Sequence, residues 1–228
     1  MKRSIIASGV IFLVLLLDQL LKFYMKTTFP MGGGFDILGL NWAKLHFVEN
    51  KGMAFGMELG GEYGKLALTL FRIIAVAVIG YYLYTLIREK ANLGLIISIA
   101  LVCAGAMGNI IDSVFYGVFF SESTFTRVAE FMPENGGYAS WMHGHVVDML
   151  YFPMASGHWP DWMPIIGGKY FHFFRPVFNI ADASITCGVL SILIFQRRIF
   201  STQEDTDASP QTKPENTEEP SSEAPASE

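Results

Sequence analysis

A mainly α membrane protein, with four transmembrane helices and a small β-containing outward-facing part, is the fold class this sequence predicts. Three observations predict it. The 228 residues are 51% apolar and only 16% charged, whereas an ordinary soluble domain carries about 25% charged residues. Four stretches, near 5–25, 66–87, 91–111 and 177–196, are apolar enough and long enough for helices crossing a hydrocarbon core of about 30 Å. Lysine and arginine then cluster on one side of all four: Lys2 and Arg3 before the first, Arg88 and Lys90 between the second and third, Arg197 and Arg198 after the fourth. That is the positive-inside pattern, and it puts both termini in the cytoplasm.

The first stretch carries no charge until Asp18. Two basic residues before an apolar run would also describe a secretory signal peptide, but no small-residue cleavage pattern follows, and three further spans do. The loop at about 26–65 should face outward. Within it, residues 45–48 read as short β structure ending in a polar turn at Glu49-Asn50-Lys51-Gly52. The second span is interrupted only by Arg72, which could pair with a carboxylate or snorkel to the outer surface; lying about six residues in, it is expected to snorkel. The third is free of charge until Asp112. The second outward loop, about 112–176, holds Trp141, Trp159 and Trp162 among many other rings. Trp and Tyr favour the headgroup zone, so this loop is expected to lie against the outer leaflet. The fourth span has Asp182 as its single ionisable group.

Composition divides the chain at about residue 200, into a four-span domain (1–200) and a tail (201–228). Eight acids against Lys213 give the tail a net charge of −7, so the chain's −5 leaves residues 1–200 at +2. Rich in Pro, Ser, Thr and Glu and without an aromatic residue, the tail is expected to be a disordered cytoplasmic extension. Cys103 and Cys187 both lie in apolar runs and read as small hydrophobes, not as a disulfide framework.

Three carboxylates in apolar spans are costly, roughly 2.5–3.5 kcal/mol each on insertion scales, and so point to function. Each shares a helix face with a second polar group: Asp18 with Lys22, Asp112 with Asn109, Asp182 with Asn179. With the topology above, all lie near the outer ends of their spans. Asp148 follows the strand-like Val146-Val147 in the large outward loop and is expected beside them. Two carboxyls sharing a site cannot both ionise easily, so one keeps a proton. The charged member can take a proton from water while the neutral one donates to a carbonyl oxygen. Structural ion pairs and interhelical hydrogen bonds are the bland alternative. His143 and His145 near Asp148 would allow a metal site, but they lack the helical spacing of zinc peptidases, and solvated histidines are the expectation. An ion-coupled transporter would also use buried Asp and Asn, yet the chain has few spans and no internal repeat. A non-catalytic binder of acylated peptides is the third reading.

Five segments, in order, resemble the motifs of the lipoprotein signal peptidase family (signal peptidase II). They are Asp18-Gln19-Leu20-Leu21-Lys22, Asn50-Lys51-Gly52-Met53-Ala54-Phe55, Gly108-Asn109-Ile110-Ile111-Asp112, His145-Val146-Val147-Asp148 and Phe178-Asn179-Ile180-Ala181-Asp182. The resemblance covers about residues 1–200. It implies an intramembrane aspartyl endopeptidase of bacterial inner membranes that cuts prolipoproteins just before the diacylglyceryl-modified cysteine. It further implies a catalytic dyad of Asp148 and Asp182, supported by Asp18, Lys22, Asn50, Gly52, Gly108, Asn109, Asp112 and Asn179. No cofactor, metal or nucleic acid is implied, membrane lipid surrounds the enzyme, and a monomer is expected. The sequence departs from the family at Ser113, where an arginine usually follows the aspartate; Arg127 or Arg175 is a candidate substitute as partner of Asp112. The outward loops on either side of Asp148 are longer than usual, and are expected to form an enlarged aromatic roof.

Overall fold

The computed structural model describes residues 1–50, 61–153, 155–173 and 176–207. Helix α1 (Lys2–Thr28) is followed by strands β1 (Gly34–Asp36) and β2 (Lys44–Asn50), then by helices α2 (Gly61–Arg88) and α3 (Leu93–Ile111). A π turn at Asp112–Tyr116 extends α3 into the single turn α4 (Gly117–Phe119). Strands β3 (Val146–Tyr151), β4 (Ala155–His158), β5 (Tyr170–Phe173) and β6 (Val177–Phe178) lead into α5 (Ile180–Asp207). Three helical stretches, Lys2–Thr28, Tyr63–Arg88 and Leu93–Phe119, are long and apolar enough to cross a membrane. The fourth, Ile180–Phe195, is a shorter apolar helix. The expected span at 177–196 loses its first residues because Val177 and Phe178 pair with β3 instead. Beyond position 200, α5 runs on to Asp207; residues 208–228 lie outside the described part.

The burial pattern of α1 is inside out. Phe12, Leu13, Leu16, Leu17 and Leu20 are exposed, whereas Asp18, Lys22 and Lys26 are fully buried. Spaced four residues apart, the three charges form one stripe facing the protein interior, and the leucines face outward. That arrangement suits a hydrocarbon surround, where apolar surface is no liability and charge must be paired inside.

Helices α3 and α5 pack closely through small residues. A side chain at Gly105 would place its Cβ 2.2 Å from the Ala181 carbonyl oxygen, and one at Gly188 would sit 2.6 Å from the Ser98 oxygen. Between them Ser184 donates to the Leu101 carbonyl at 2.8 Å. Small residues with occasional hydroxyl bonds are how helices approach in lipid, where no hydrophobic force drives them together. Asn92 caps the other end of α3 by accepting from the Gly94 amide at 2.8 Å.

Four antiparallel strands in the order β1-β2-β3-β6 form a small sheet at one end of this bundle, and β4 and β5 make a separate hairpin. Glu49 and Asn50 belong to β2, opposite Val147 and Val146, and not to the polar turn expected there, whose Lys51 and Gly52 lie outside the described residues. Strand β3 is buried on both faces. Val147 and Met149 pack with Met25, Phe47, Tyr116 and Phe120, so the period of two sends Asp148 to the other face.

The long segment between α4 and β3 lies along the π turn. Gly144 donates to the Ser113 carbonyl at 2.8 Å and Met142 to the Val114 carbonyl at 3.2 Å. A π turn disrupts the normal helical ladder, and this segment supplies partners to its carbonyls. Its rings form a connected cluster with α1: Phe131 meets Phe23, Phe119 and Phe120, and Trp141 meets Phe115 and Phe119.

Candidate active site

The sequence Asn179-Ile180-Ala181-Asp182 starts α5 as a capping box. Asn179 Oδ1 accepts from the Asp182 amide at 2.8 Å, and Asp182 Oδ2 receives the Asn179 amide at 3.4 Å. The Ala181 amide donates to Asp18 Oδ1 at 2.9 Å, so a carboxylate of α1 satisfies another free amide of this helix end. Local capping thereby fixes the carboxyl of Asp182 beside the helix N-terminus, where the macrodipole favours negative charge.

Asn179 does more than cap. Its Nδ2 donates to Asp148 Oδ1 at 2.7 Å, to Asn109 Oδ1 at 3.0 Å and to the Val147 carbonyl at 3.3 Å. Asn109 in turn donates from Nδ2 to Asp182 Oδ1 at 2.7 Å. The result is a chain, Asp148–Asn179–Asn109–Asp182, linking two carboxyls from β3 and α5 through side chains of α3 and the start of α5. Asp148 is nine-tenths buried or more, at 5% exposure, while Asp182 is half-buried. Burial pushes the Asp148 carboxyl up to about 7; the neighbouring Asp182 adds to the rise, and the Asn179 hydrogen bond opposes it. A pair in which one member keeps its proton at neutral pH is the arrangement needed for acid–base work on one water.

Beneath the pair lies a buried ion cluster. Lys22 Nζ meets Asp18 Oδ2 and Asp112 Oδ2 at 2.8 Å each and donates to Asn109 Oδ1 at 3.2 Å. Asp112 Oδ2 also accepts the Val147 amide at 3.1 Å, tying the end of α3 to the strand that carries Asp148. Gln19 bridges Asp18, the Gly108 carbonyl and Asp112, and accepts from the Tyr116 hydroxyl at 3.1 Å. At Gly108 both α1 and α5 press on α3: a Cβ there would lie 2.8 Å from Asp18 Oδ2 and 3.0 Å from Ala181 Cβ.

The sequence pattern that describes Signal peptidase (SPase) II matches residues 10–198. The chain belongs to the signal peptidase II family. It is similar to a lipoprotein signal peptidase of Porphyromonas gingivalis, 45% identical over 197 residues that make up 86% of this chain and 84% of that one. A lipoprotein signal peptidase of Amoebophilus asiaticus is 38% identical over 192 residues, 83% of this chain and 76% of the relative. In fold it resembles a bacterial membrane enzyme solved by the in meso method at 1.9 Å resolution, with a TM-score of 0.52 and 25% identity, covering 82% of this chain and 90% of that one.

Of the residues expected from the signal peptidase II motifs, Asp18, Lys22, Gly108, Asn109, Asp112, Asp148, Asn179 and Asp182 meet in this one place. Asn50 ends β2 opposite Val146, and Gly52 lies outside the described residues. Two expectations are corrected. Lys22, not Arg127, partners Asp112; Arg127 is exposed and Arg175 lies outside the described residues. Arg72 does not snorkel outward but turns inward and donates to Ser113 Oγ at 3.3 Å.

A second buried cluster escaped the sequence reading. Lys26 pairs with Glu49 and donates to Ser123 Oγ at 3.0 Å, while His145 Nδ1 meets Glu49 Oε2 at 2.9 Å and Ser123 donates to Glu49 Oε1 at 2.5 Å. The Lys26 ammonium also lies over the Tyr138 ring, 5.0 Å from its centre. Burial alone would raise the Glu49 carboxyl, but His145 and Lys26 outweigh it and hold it down at about 2. His145 is thus bound to a carboxylate on β2, and His143 lies against Ser140 and the Trp141 carbonyl. The stripe Asp18-Lys22-Lys26 was the available signal, since a third polar residue at the same spacing belongs to the same buried face.

Proposed function

We propose that this chain is an aspartic endopeptidase that removes signal peptides from bacterial prolipoproteins, cutting before the diacylglyceryl-modified cysteine, with Asp148 and Asp182 as its catalytic dyad. The carrying observation is that two carboxyls from separate elements are joined by the Asn109–Asn179 relay, one of them held near neutrality. In this reading the charged carboxylate takes a proton from water, and the oxygen attacks the scissile carbonyl carbon. The protonated carboxyl gives its proton to the carbonyl oxygen, forming a tetrahedral diol. On collapse the C–N bond breaks, the leaving nitrogen takes a proton from the dyad, and a free acid and amine result. Asn109 and Asn179 orient the pair, and the Lys22 cluster locks three helix ends around it.

The substrate's lipid would anchor it in the bilayer beside the dyad, at the periplasmic face of an inner membrane with both chain termini in the cytoplasm. Family membership favours this reading over the transporter and the non-catalytic binder. The test is cleavage of a purified, lipid-modified precursor by purified enzyme. Asp148→Asn and Asp182→Asn are each expected to lower turnover by about 10³-fold or more. Near-normal cleavage by either folded variant refutes the dyad; binding without cleavage by the parent chain supports the binder instead.

A further inference from the structure

Helix α2 presents one face to the segment between α4 and β3 and to the π turn. Lys65 Nζ donates to the His143 carbonyl at 2.5 Å, Thr69 Oγ1 to the Met142 carbonyl at 3.1 Å, and Arg72 to Ser113 Oγ at 3.3 Å. Positions 65, 69 and 72 fall on a single helical stripe. Ser113 spends its own proton on the Asn109 carbonyl at 2.9 Å, so its oxygen is left to accept, which suits a guanidinium. This seat places the Arg72 charge beside the relay, because Ser113 is bonded to Asn109, whose side chain donates to Asp182 Oδ1 at 2.7 Å. Asp112 already has a cation in contact, Lys22. Among the described residues no cation touches Asp182; its close donors are the neutral Asn109 side chain and the Asn179 amide.

We propose that Arg72 is a positioning residue for the reaction: seated on Ser113, it holds the negative charge of the pair on Asp182 and leaves the shared proton on Asp148. The inference rests on the dyad reading above and assigns the roles that reading leaves open. Asp182, half-exposed, takes the proton from water; Asp148, deep in β3, donates to the carbonyl oxygen. Among the described residues, the other charged groups facing the pair are Asp18 and Lys22 from α1 and Asp112 from the π turn. Lys22 is shared among Asp18, Asp112 and Asn109, so among the described residues Arg72 is the cation left to favour Asp182.

The test is the pH profile of kcat/KM with a lipid-modified precursor. Without the cation, the charged member binds a proton more readily, so Arg72→Gln is expected to move the acid limb upward by about one pH unit, with KM within about twofold of the parent. Arg72→Lys should recover at least half of that shift. Ser113→Ala should move the limb in the same direction by less, because the charge stays while its seat is lost. The double variant Arg72→Gln/Ser113→Arg should return the limb toward the parent, since an arginine at 113 starts where the guanidinium now ends. An unmoved acid limb in folded Arg72→Gln overturns the proposal, as does Arg72→Lys behaving like Arg72→Gln. Should Arg72→Gln fail to fold, Ser113→Ala and Arg72→Lys decide. Inactive Asp148→Asn and Asp182→Asn with an unmoved limb would sink this inference and leave the dyad standing.

Discussion

Asp148 is held at a cost to the fold. Its carboxyl is raised to about 7 in the folded chain from 3.8, so between those values the folded state binds the proton more tightly than the unfolded chain. Stability therefore falls as pH rises from about 4 to about 7, by the order of a few kcal/mol in all. Asp148→Asn should melt at a higher temperature than the parent at pH 8 while being inactive, and the gap should close at pH 4. Thermal melts in detergent at the two pH values check this; equal melting temperatures at pH 8 would show that burial does not strain the site. At this scale the i, i+3 and i, i+4 pairs were legible because spacing alone puts two side chains on one face. Arg72 was misread because sequence gives a residue's depth along its span but not its bearing around the bundle axis. That bearing depends on which stripe of α2 meets Ser113.

Among elements, the seam between α3 and α5 sets the distance between Asn109 and Asp182. Gly105→Ala would force a methyl group onto the Ala181 carbonyl, 2.2 Å away, and push back the first turn of α5. A loss of about 1–3 kcal/mol is expected for such overpacking, with activity down at least about tenfold as the relay opens; an assay alongside melting curves separates the two effects. The join between β2, β3 and α1 depends instead on Glu49. Its carboxyl is held at about 2 against an ordinary 4.5, so its contribution is fully present above about pH 4.5 and is lost as pH falls through about 2. Glu49→Gln should lower the melting temperature at pH 7 and show a smaller further drop between pH 5 and pH 3 than the parent does. The length of β2 was not legible, because Glu-Asn-Lys-Gly has turn composition and only the distant Lys26 and His145 give Glu49 a reason to be buried in a strand.

For the whole molecule, hydropathy carried most of the helical arrangement, because lipid imposes the same demand on every span. The sequence could not say that β6 would claim the first residues of the fourth span, since strand pairing with Leu150 and Tyr151 is a long-range choice. Orientation is testable by thiol labelling in intact inner-membrane preparations lacking Cys103 and Cys187. Glu89→Cys should be shielded from an impermeant reagent added on the periplasmic side, and Trp162→Cys should react; the reverse pattern inverts the topology.

The wide turn at Asp112–Tyr116 makes chain length itself part of the chemistry. Each residue of a helix advances its successor by about 100°, so trimming that turn to an ordinary one would rotate α4 and unlatch Gly144 and Met142 from their carbonyls. The strand bearing Asp148 begins two residues after Gly144, and would lose its anchorage with no functional side chain altered. Between 112 and 116, therefore, the count of residues is as constrained as their identity.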